Sequence, residues 1–436
     1  MKQRWPYFAG LGLMVLVTAL IAQPPAGGPP GGAPKGAAPK GKGPGRGAPA
    51  YRMEKGLPID TRTPLKTDDH DVFKGQSHAP YEPTAAPVVT VITDKLQNPW
   101  GMVFLPDGKI LVTEKPGAMR TVAKDGTISE PLKGLPAVFF AGQTGLLDLA
   151  LDKNFAQNRR IFFAYAEAVG DTDSHIVVAS ATLNAAATEI TGSKIIFGSG
   201  PALNKRTFGA QQGGRIAVDR DGNLFVSIGD RSGTPPHDYA QKLDNTLGKM
   251  IHITPDGKPA PNNPFLNRPG VVPEIWSSGH RNPQGLTIHP DTVELWNVEH
   301  GPNGGDELNQ PEKGKNYGWP VAVHGIDYNG QPINEGVVEK AGVEQPLYYW
   351  DPVMAPSGLA FYTGNLFPQW KNSLFIGGLG GQMLNRLHMD GKKVIGEEPL
   401  LTGEGRARIR DVRMGPEGAV YVMTEAGSLM KLTPKP

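Results

Sequence analysis

The chain has 436 residues and a formal net charge of +2, from 44 basic against 42 acidic side chains. That balance gives no electrostatic reason to expect nucleic acid as a partner. The absence of cysteine excludes disulfides, thiolate nucleophiles, cysteine-ligated metals and a lipid-bearing N-terminal thiol. Length alone suggests two or three domains. The 57 Gly and 42 Pro instead describe a turn-rich chain of short strands, and the internal repeats below overrule the domain count.

The N-terminus carries Lys2 and Arg4, then an apolar run from Phe8 to Ala22, with no acidic residue before Glu54. This is the layout of an export signal over residues 1–22, cleaved after Ala22. Leu20 at the −3 position is a poor cleavage residue, which leaves retention as an uncleaved anchor as the alternative. The run is shorter than the roughly 20 residues a membrane-spanning helix needs. The body is therefore expected to be periplasmic or secreted. From Pro24 to Ala50 the composition collapses to Pro, Gly, Ala and a few cations, which cannot offset ordering entropy by burial. Residues 23–87 read as a tether and N-terminal extension, and residues 88–436 as the folded domain.

From Val88 onward an apolar alternation, an Asp-Gly or Glu-Gly turn and a second β-rich run recur. The copies begin at Trp100, Gly145, Gly214, Gly285, Ser357 and Asp411, and each reads as a hairpin. Their spacing of about 45 to 75 residues predicts an all-β, six-bladed propeller of four-stranded antiparallel blades. Two sandwiches in tandem would require a mid-chain linker, and none is present. Asp219-Arg220-Asp221-Gly222-Asn223 resembles the start of a calcium loop, but Leu224 stands where that loop needs Gly, so it reads as a hairpin turn. Gly377 to Gly381 lacks the surrounding βαβ unit of a dinucleotide site. No Gly-x-Ser-x-Gly or His-Glu-x-x-His occurs, which leaves serine-esterase and zincin chemistry unsupported.

Three polar loop stretches stand out. They are Ser278-Gly279-His280-Arg281-Asn282-Pro283-Gln284-Gly285-Leu286, then Glu299 to Asn309 running on to Asn316-Tyr317-Gly318-Trp319-Pro320, and Arg406-Ala407-Arg408-Ile409-Arg410-Asp411-Val412. In this order and wording they resemble the soluble aldose dehydrogenases of the glucose/sorbosone type that depend on pyrroloquinoline quinone (PQQ). The resemblance runs from about Asn98 to Leu432. It implies PQQ and Ca²⁺ as cofactors, and oxidation of an aldose at C1 to a lactone with hydride passed to the quinone and then to an unidentified electron acceptor.

The residue chemistry is compatible. A planar tricarboxylate needs guanidinium forks, and a quinone oxygen needs a hard cation. By resemblance, Gln143, Arg281, Asn282, Tyr328, Arg408 and Arg410 contact the cofactor, with Arg281 also stabilising charge on the reduced oxygen. The same resemblance implies that the carbonyls of Gly301 and Pro302 face the calcium and that Glu307 and Tyr317 form a further calcium pair, the tyrosine through its carbonyl. An arginine beside an asparagine in a loop ordinarily makes a surface or interblade ion pair, and Asp306 with Glu307 ordinarily solvate a turn.

Two positions depart from the family. Its base is a His four residues ahead of the Arg that opens a blade strand, where this chain has Gln211 in Gln211-Gln212-Gly213-Gly214-Arg215. A carboxamide takes no proton at ordinary pH. A cofactor-contacting Lys of the family is replaced by Gly380. Three readings stay open: another base such as His237 or a carboxylate, brought in by an insertion around Thr207 to Ala210; a slow enzyme in which Gln211 only orients water or sugar; or a non-catalytic quinone- or sugar-binding propeller. A calcium-dependent lactonase-like hydrolase, which would need carboxylates converging in the central tunnel, is the rival from another class.

Overall fold

The computed structural model describes residues 51–170, 173–200, 203–204, 210–231, 237–403 and 406–436. The proposed export signal, the Pro/Gly/Ala-rich stretch through Ala50, the stretch 205–209 and the side chain of His237 lie outside them. Residues 47–436 form one packed unit.

The expected hairpins are the first two strands of six blades. Pro99–Phe104 pairs with Ile110–Glu114, and Met102 lies opposite Val112. The inner strands of the next five blades are Leu146–Leu151, Gly213–Val218, Pro283–Ile288, Pro356–Phe361 and Ile409–Met414. All pairing within the blades is antiparallel. Four sheets have four strands, the second blade gains a short extra strand at Leu203–Asn204, and the first has three with Ile128 bridging to Val122 as its outer edge. Adjacent inner strands pack side by side around the ring, and the first meets the sixth. Val88–Thr93 closes the circle by pairing with Leu429–Thr433, so the sixth blade is built from both ends of the folded chain.

The turns follow from their residues. Asp219 Oδ1 accepts the backbone N–H groups of Asp221 and Asn223 at 2.8 Å each, and Gly222 takes φ +90°, so this stretch is the hairpin turn the sequence indicated. The region ahead of Val88 has little regular structure yet belongs to the packed body. Ile59, Ala79 and Tyr81 are buried among Trp296, Tyr348, Trp350 and Leu374. The Leu65 and Lys66 N–H groups donate to the two oxygens of Asp351 at 3.0 and 2.9 Å.

One side chain ties the ring together at its axis. Arg215, on the third blade, is 1% exposed. It donates to Asp148 Oδ1 of the second blade (3.4 Å), Gln284 O of the fourth (2.6 Å), Ser357 Oγ of the fifth (3.5 Å), and Asp411 Oδ1 and Arg410 O of the sixth (2.9 and 2.8 Å). It also lies 4.0 Å from the ring centre of Trp100 on the first blade. Arg413 supplies a second cation, 2.9 Å from Asp148 and 3.1 Å from Asp411. This closed ion network lies directly beneath the polar loops.

Candidate functional site

The loop that leads into the fourth inner strand is set by Glu299. Its Oε2 accepts the Arg281 N–H at 2.7 Å, and its Oε1 meets His280 Nδ1 at 2.9 Å and Asn309 Nδ2 at 3.0 Å. Burial pushes this carboxyl up, but His280 and the other donors outweigh it and hold Glu299 below the usual carboxylate range. With its backbone fixed, Arg281 sends Nη1 to the carbonyls of His300 (3.1 Å) and Gly301. Its guanidinium lies 5.1 Å from the Trp319 ring centre, and its buried Nε has no partner. The Trp319 indole N–H donates to Asp230 Oδ2 at 2.7 Å, and the Asp230 N–H donates to Arg281 O at 2.9 Å, which locks the two loops together.

Arg408 and Arg410 grip the two oxygens of Glu425, one each. Against the upward push of burial, Arg410 and Arg408 bring that carboxyl down to about 2. Arg410 also donates to Gln284 Oε1 at 2.9 Å, and its buried Nε has no partner. Arg408 is half-exposed and reaches Leu379 O at 3.1 Å, beside Gly380, whose own N–H is held by Met354 O at 2.9 Å. His300 lies among the three arginines: burial, then Arg410 and Arg281, push its imidazole down to about 3. Its Nε2 meets Pro356 O at 2.8 Å.

Gln211, Gln143 and Asn282 come together on the other side. The Gln211 N–H donates to Gln143 Oε1 at 2.9 Å, and Asn282 Oδ1 accepts the Gly213 N–H at 3.3 Å. Gln211 holds φ +50°, and its buried Oε1 has no partner. Tyr328 is not gathered with these groups; it is 68% exposed on the hairpin beyond Ile326.

Asp306 shapes the turn that carries two of the calcium candidates and precedes a third, Glu307, on its strand. Its Oδ1 accepts the Gly301 N–H at 2.9 Å and its Oδ2 the Met354 N–H at 2.7 Å, which folds the Gly301–Pro302 turn; burial raises this carboxyl to about 6. Glu307, next on the strand, has Asn309 Nδ2 at 2.9 Å. Burial first, then the nearby charges of Glu299, Asp306 and Asp69, push Glu307 well above the usual carboxylate range. A carboxylate surrounded by like charges favours a bound cation. Among the described residues no three His, Asp or Glu side chains converge in metal-binding geometry, so a cation there would rest on Glu307, main-chain carbonyls and water. The Tyr317 ring is buried, stacked 5.0 Å from His280, with its hydroxyl bonded to Gln310 O.

A propeller with this loop chemistry defines a class, and the chain belongs to the glucose/sorbosone dehydrogenase family, which it matches over residues 96–431. Among relatives, it is 42% identical to the aldose sugar dehydrogenase YliI of Escherichia coli over 351 residues, covering 80% of this chain and 93% of that one. It is 25% identical to quinoprotein glucose dehydrogenase B of Acinetobacter calcoaceticus, over 78% of this chain and 86% of that one. Of solved structures, the PQQ-bound aldose sugar dehydrogenase of Streptomyces coelicolor superposes with a TM-score of 0.65 at 27% identity, covering 81% of this chain and 99% of that one.

Two functional candidates had no signal in the sequence. His300 lies inside the second polar stretch, but the arginines whose charges act on it come from the other two, Arg281 from one and Arg408 and Arg410 from the other. Arg231 follows an ordinary strand end and is distinguished only by its burial and backbone.

Proposed function

We propose that the chain is a PQQ- and calcium-dependent aldose dehydrogenase that oxidises the sugar at C1 to the lactone. The observation that carries this is that Arg281 and Arg410 are buried guanidiniums with unpaired Nε donors, with Arg408 beside Arg410 on Glu425. Buried guanidinium donors without partners suit a planar polycarboxylate. The Gln143, Asn282 and Gln211 amides would line the same ligand, while Tyr328 would approach only from the solvent side.

Glu307 with the carbonyls of Gly301, Pro302 and Tyr317 would hold Ca²⁺. The Gly301 carbonyl already accepts from Arg281 and retains a second lone pair for the ion. PQQ, when bound, supplies the two-electron acceptor for the C1 hydride. Arg281 would stabilise negative charge developing at the cofactor, and Trp319 keeps its guanidinium in place. The unpaired Gln211 Oε1 accepts a hydrogen bond from a sugar hydroxyl and orients it without removing its proton. Slow turnover, or a second group acting as base, follows from that substitution.

The non-catalytic reading, a propeller that binds PQQ or sugar, is favoured by the same Gln211 and by the loss of the lysine at Gly380. The lactonase-like reading loses support because Asp148 and Asp411, on the inner strands, are engaged by Arg215 and Arg413. Among the described residues no helix is long and apolar enough to cross a membrane, and export to the periplasm or medium is proposed on residues 1–22.

Dye-linked oxidation of an aldose panel by protein loaded with PQQ and Ca²⁺ tests the proposal. Aldose-dependent dye reduction that needs both additions is expected. Tight PQQ binding with no oxidation of any sugar would leave the binding-protein reading.

A further inference from the structure

Five arginines are buried among the described residues: Arg215, Arg231, Arg281, Arg386 and Arg410. Arg215, Arg386 and Arg410 meet carboxylates of Asp148 and Asp411, Glu398 and Glu425 respectively. Among the described residues, Arg231 and Arg281 have no carboxylate within ion-pair distance. Arg281 belongs to the proposed cofactor site, and the function proposed above makes no use of Arg231.

Arg231 is 1% exposed, and its Nη1 and Nη2 make only long bonds, 3.3 Å to Ser174 O and 3.2 Å to Ser174 Oγ. Its buried Nε has no partner, the same signature that Arg281 and Arg410 carry. Burial pushes the guanidinium down to about 10, so it remains a cation at neutral pH. Its backbone holds φ +67°, a conformation that costs a non-glycine residue energy and recurs at ligand sites. Its N–H donates to Gln211 O at 3.2 Å, and the preceding residue, Asp230, bonds both Arg281 and Trp319. A buried cation with an unfilled Nε donor, its guanidinium against Ser174 and opposed only by the charge of the neighbouring Asp230, is costly to the folded protein unless a further anion compensates it.

We propose that Arg231 is an anion-binding residue of this site that takes a ligand carboxylate, and that the carboxylate belongs to an acidic aldose such as a uronic acid. The inference rests on the dehydrogenase reading. Arg281, Arg408 and Arg410 already match the three carboxylates of the cofactor in number, and Arg231 is joined through its backbone to Gln211, beside which the sugar would stand, with its guanidinium against Ser174. An additional guanidinium there selects a sugar bearing its own negative charge.

The test compares wild type, Arg231→Gln and Arg231→Lys as full chains loaded with Ca²⁺. Three quantities are measured: PQQ affinity by absorbance titration, D-glucuronate and D-glucose affinity of the PQQ-loaded protein by calorimetry, and kcat/KM for both sugars. Wild type should favour D-glucuronate, and Arg231→Gln should weaken its binding about 10- to 100-fold relative to D-glucose, the range for a charge-assisted hydrogen bond. Arg231→Lys should retain part of the preference. The melting temperature of the apoprotein should hold or rise in Arg231→Gln, because a buried charge that only Asp230 opposes is removed. A loss of PQQ affinity with unchanged sugar preference would keep the anion role and assign the carboxylate to the cofactor. Unchanged affinities with a lowered apoprotein melting temperature would make Arg231 a structural cation and overturn the inference alone. Failure of wild type to bind PQQ would overturn the dehydrogenase reading and this inference with it.

Discussion

Replacing Arg215 with Met should reveal how the six blades are held together. The side chain joins all the other inner strands, and its removal leaves Asp148 and Asp411 buried with Arg413 as their remaining cation. Breaking a buried ion pair from one side typically costs about 3 to 5 kcal/mol. Spread over the unfolding entropy of the packed unit, residues 47–436, that is a fall in melting temperature of roughly 4 to 6 °C. The deficit should depend on pH. Burial already raises the Asp411 carboxyl above its ordinary value, and loss of Arg215 removes its main opposing influence. A carboxyl whose pKa is higher in the folded state stabilises that state below its unfolded pKa and loses the contribution as pH rises through the folded value. The Arg215→Met deficit should therefore be larger at about pH 8 than at about pH 4. Adding Asp411→Asn should restore part of the loss by rebalancing one cation against one carboxylate. Thermal unfolding followed by circular dichroism across that range is the assay. A deficit under about 1 °C, or one equal at both ends of the range, would refute the reasoning.

Further outcomes are expected at the site. Ca²⁺ at a hundredfold excess over its Kd should stabilise the protein by about 2.7 kcal/mol, and Glu307→Gln should abolish the gain; an unchanged melting temperature after chelation would count against the calcium site. Because burial and neighbouring charges lead Glu307 to hold its proton to unusually high pH, Ca²⁺ binding should release a proton and the stabilisation should grow as pH rises, which calorimetry in buffers of different ionisation enthalpy would measure. Arg408→Ala and Arg410→Ala should each weaken PQQ binding by about 1.5 to 3 kcal/mol, read by absorbance titration; wild-type affinity in both would assign these arginines to their contacts with Glu425 instead. Gln211→His should raise kcat by about 10²- to 10⁴-fold, with activity rising through the new imidazole's pKa; no gain over a fast wild type would show that the base lies elsewhere.

The hairpins were legible because each is written locally, as period-2 apolar residues on either side of a turn whose Asp and Gly have fixed roles, as at Asp219 and Gly222. Ring closure by Val88–Thr93 on Leu429–Thr433 was not, since strand partners at opposite chain ends leave no local mark. The segment ahead of Val88 has no periodicity to read, yet Ile59 and Tyr81 still find a core. At the site, the loop wording located Arg281, Arg408 and Arg410, while the role of Arg215 as their common floor depends on contacts with five other blades. The strained backbone of Gln211 and Arg231, and their unpaired polar atoms, are visible only once the chain has folded.

The most direct measurement of the central claim is a single-turnover reaction. Protein loaded with stoichiometric PQQ and Ca²⁺ is mixed anaerobically with an aldose, and the cofactor absorbance is followed without any external acceptor. Conversion of one equivalent of bound PQQ to its reduced spectrum, with one equivalent of lactone formed, is expected even if turnover is slow. Saturable PQQ binding whose oxidised spectrum persists with every sugar, neutral and acidic, would contradict it.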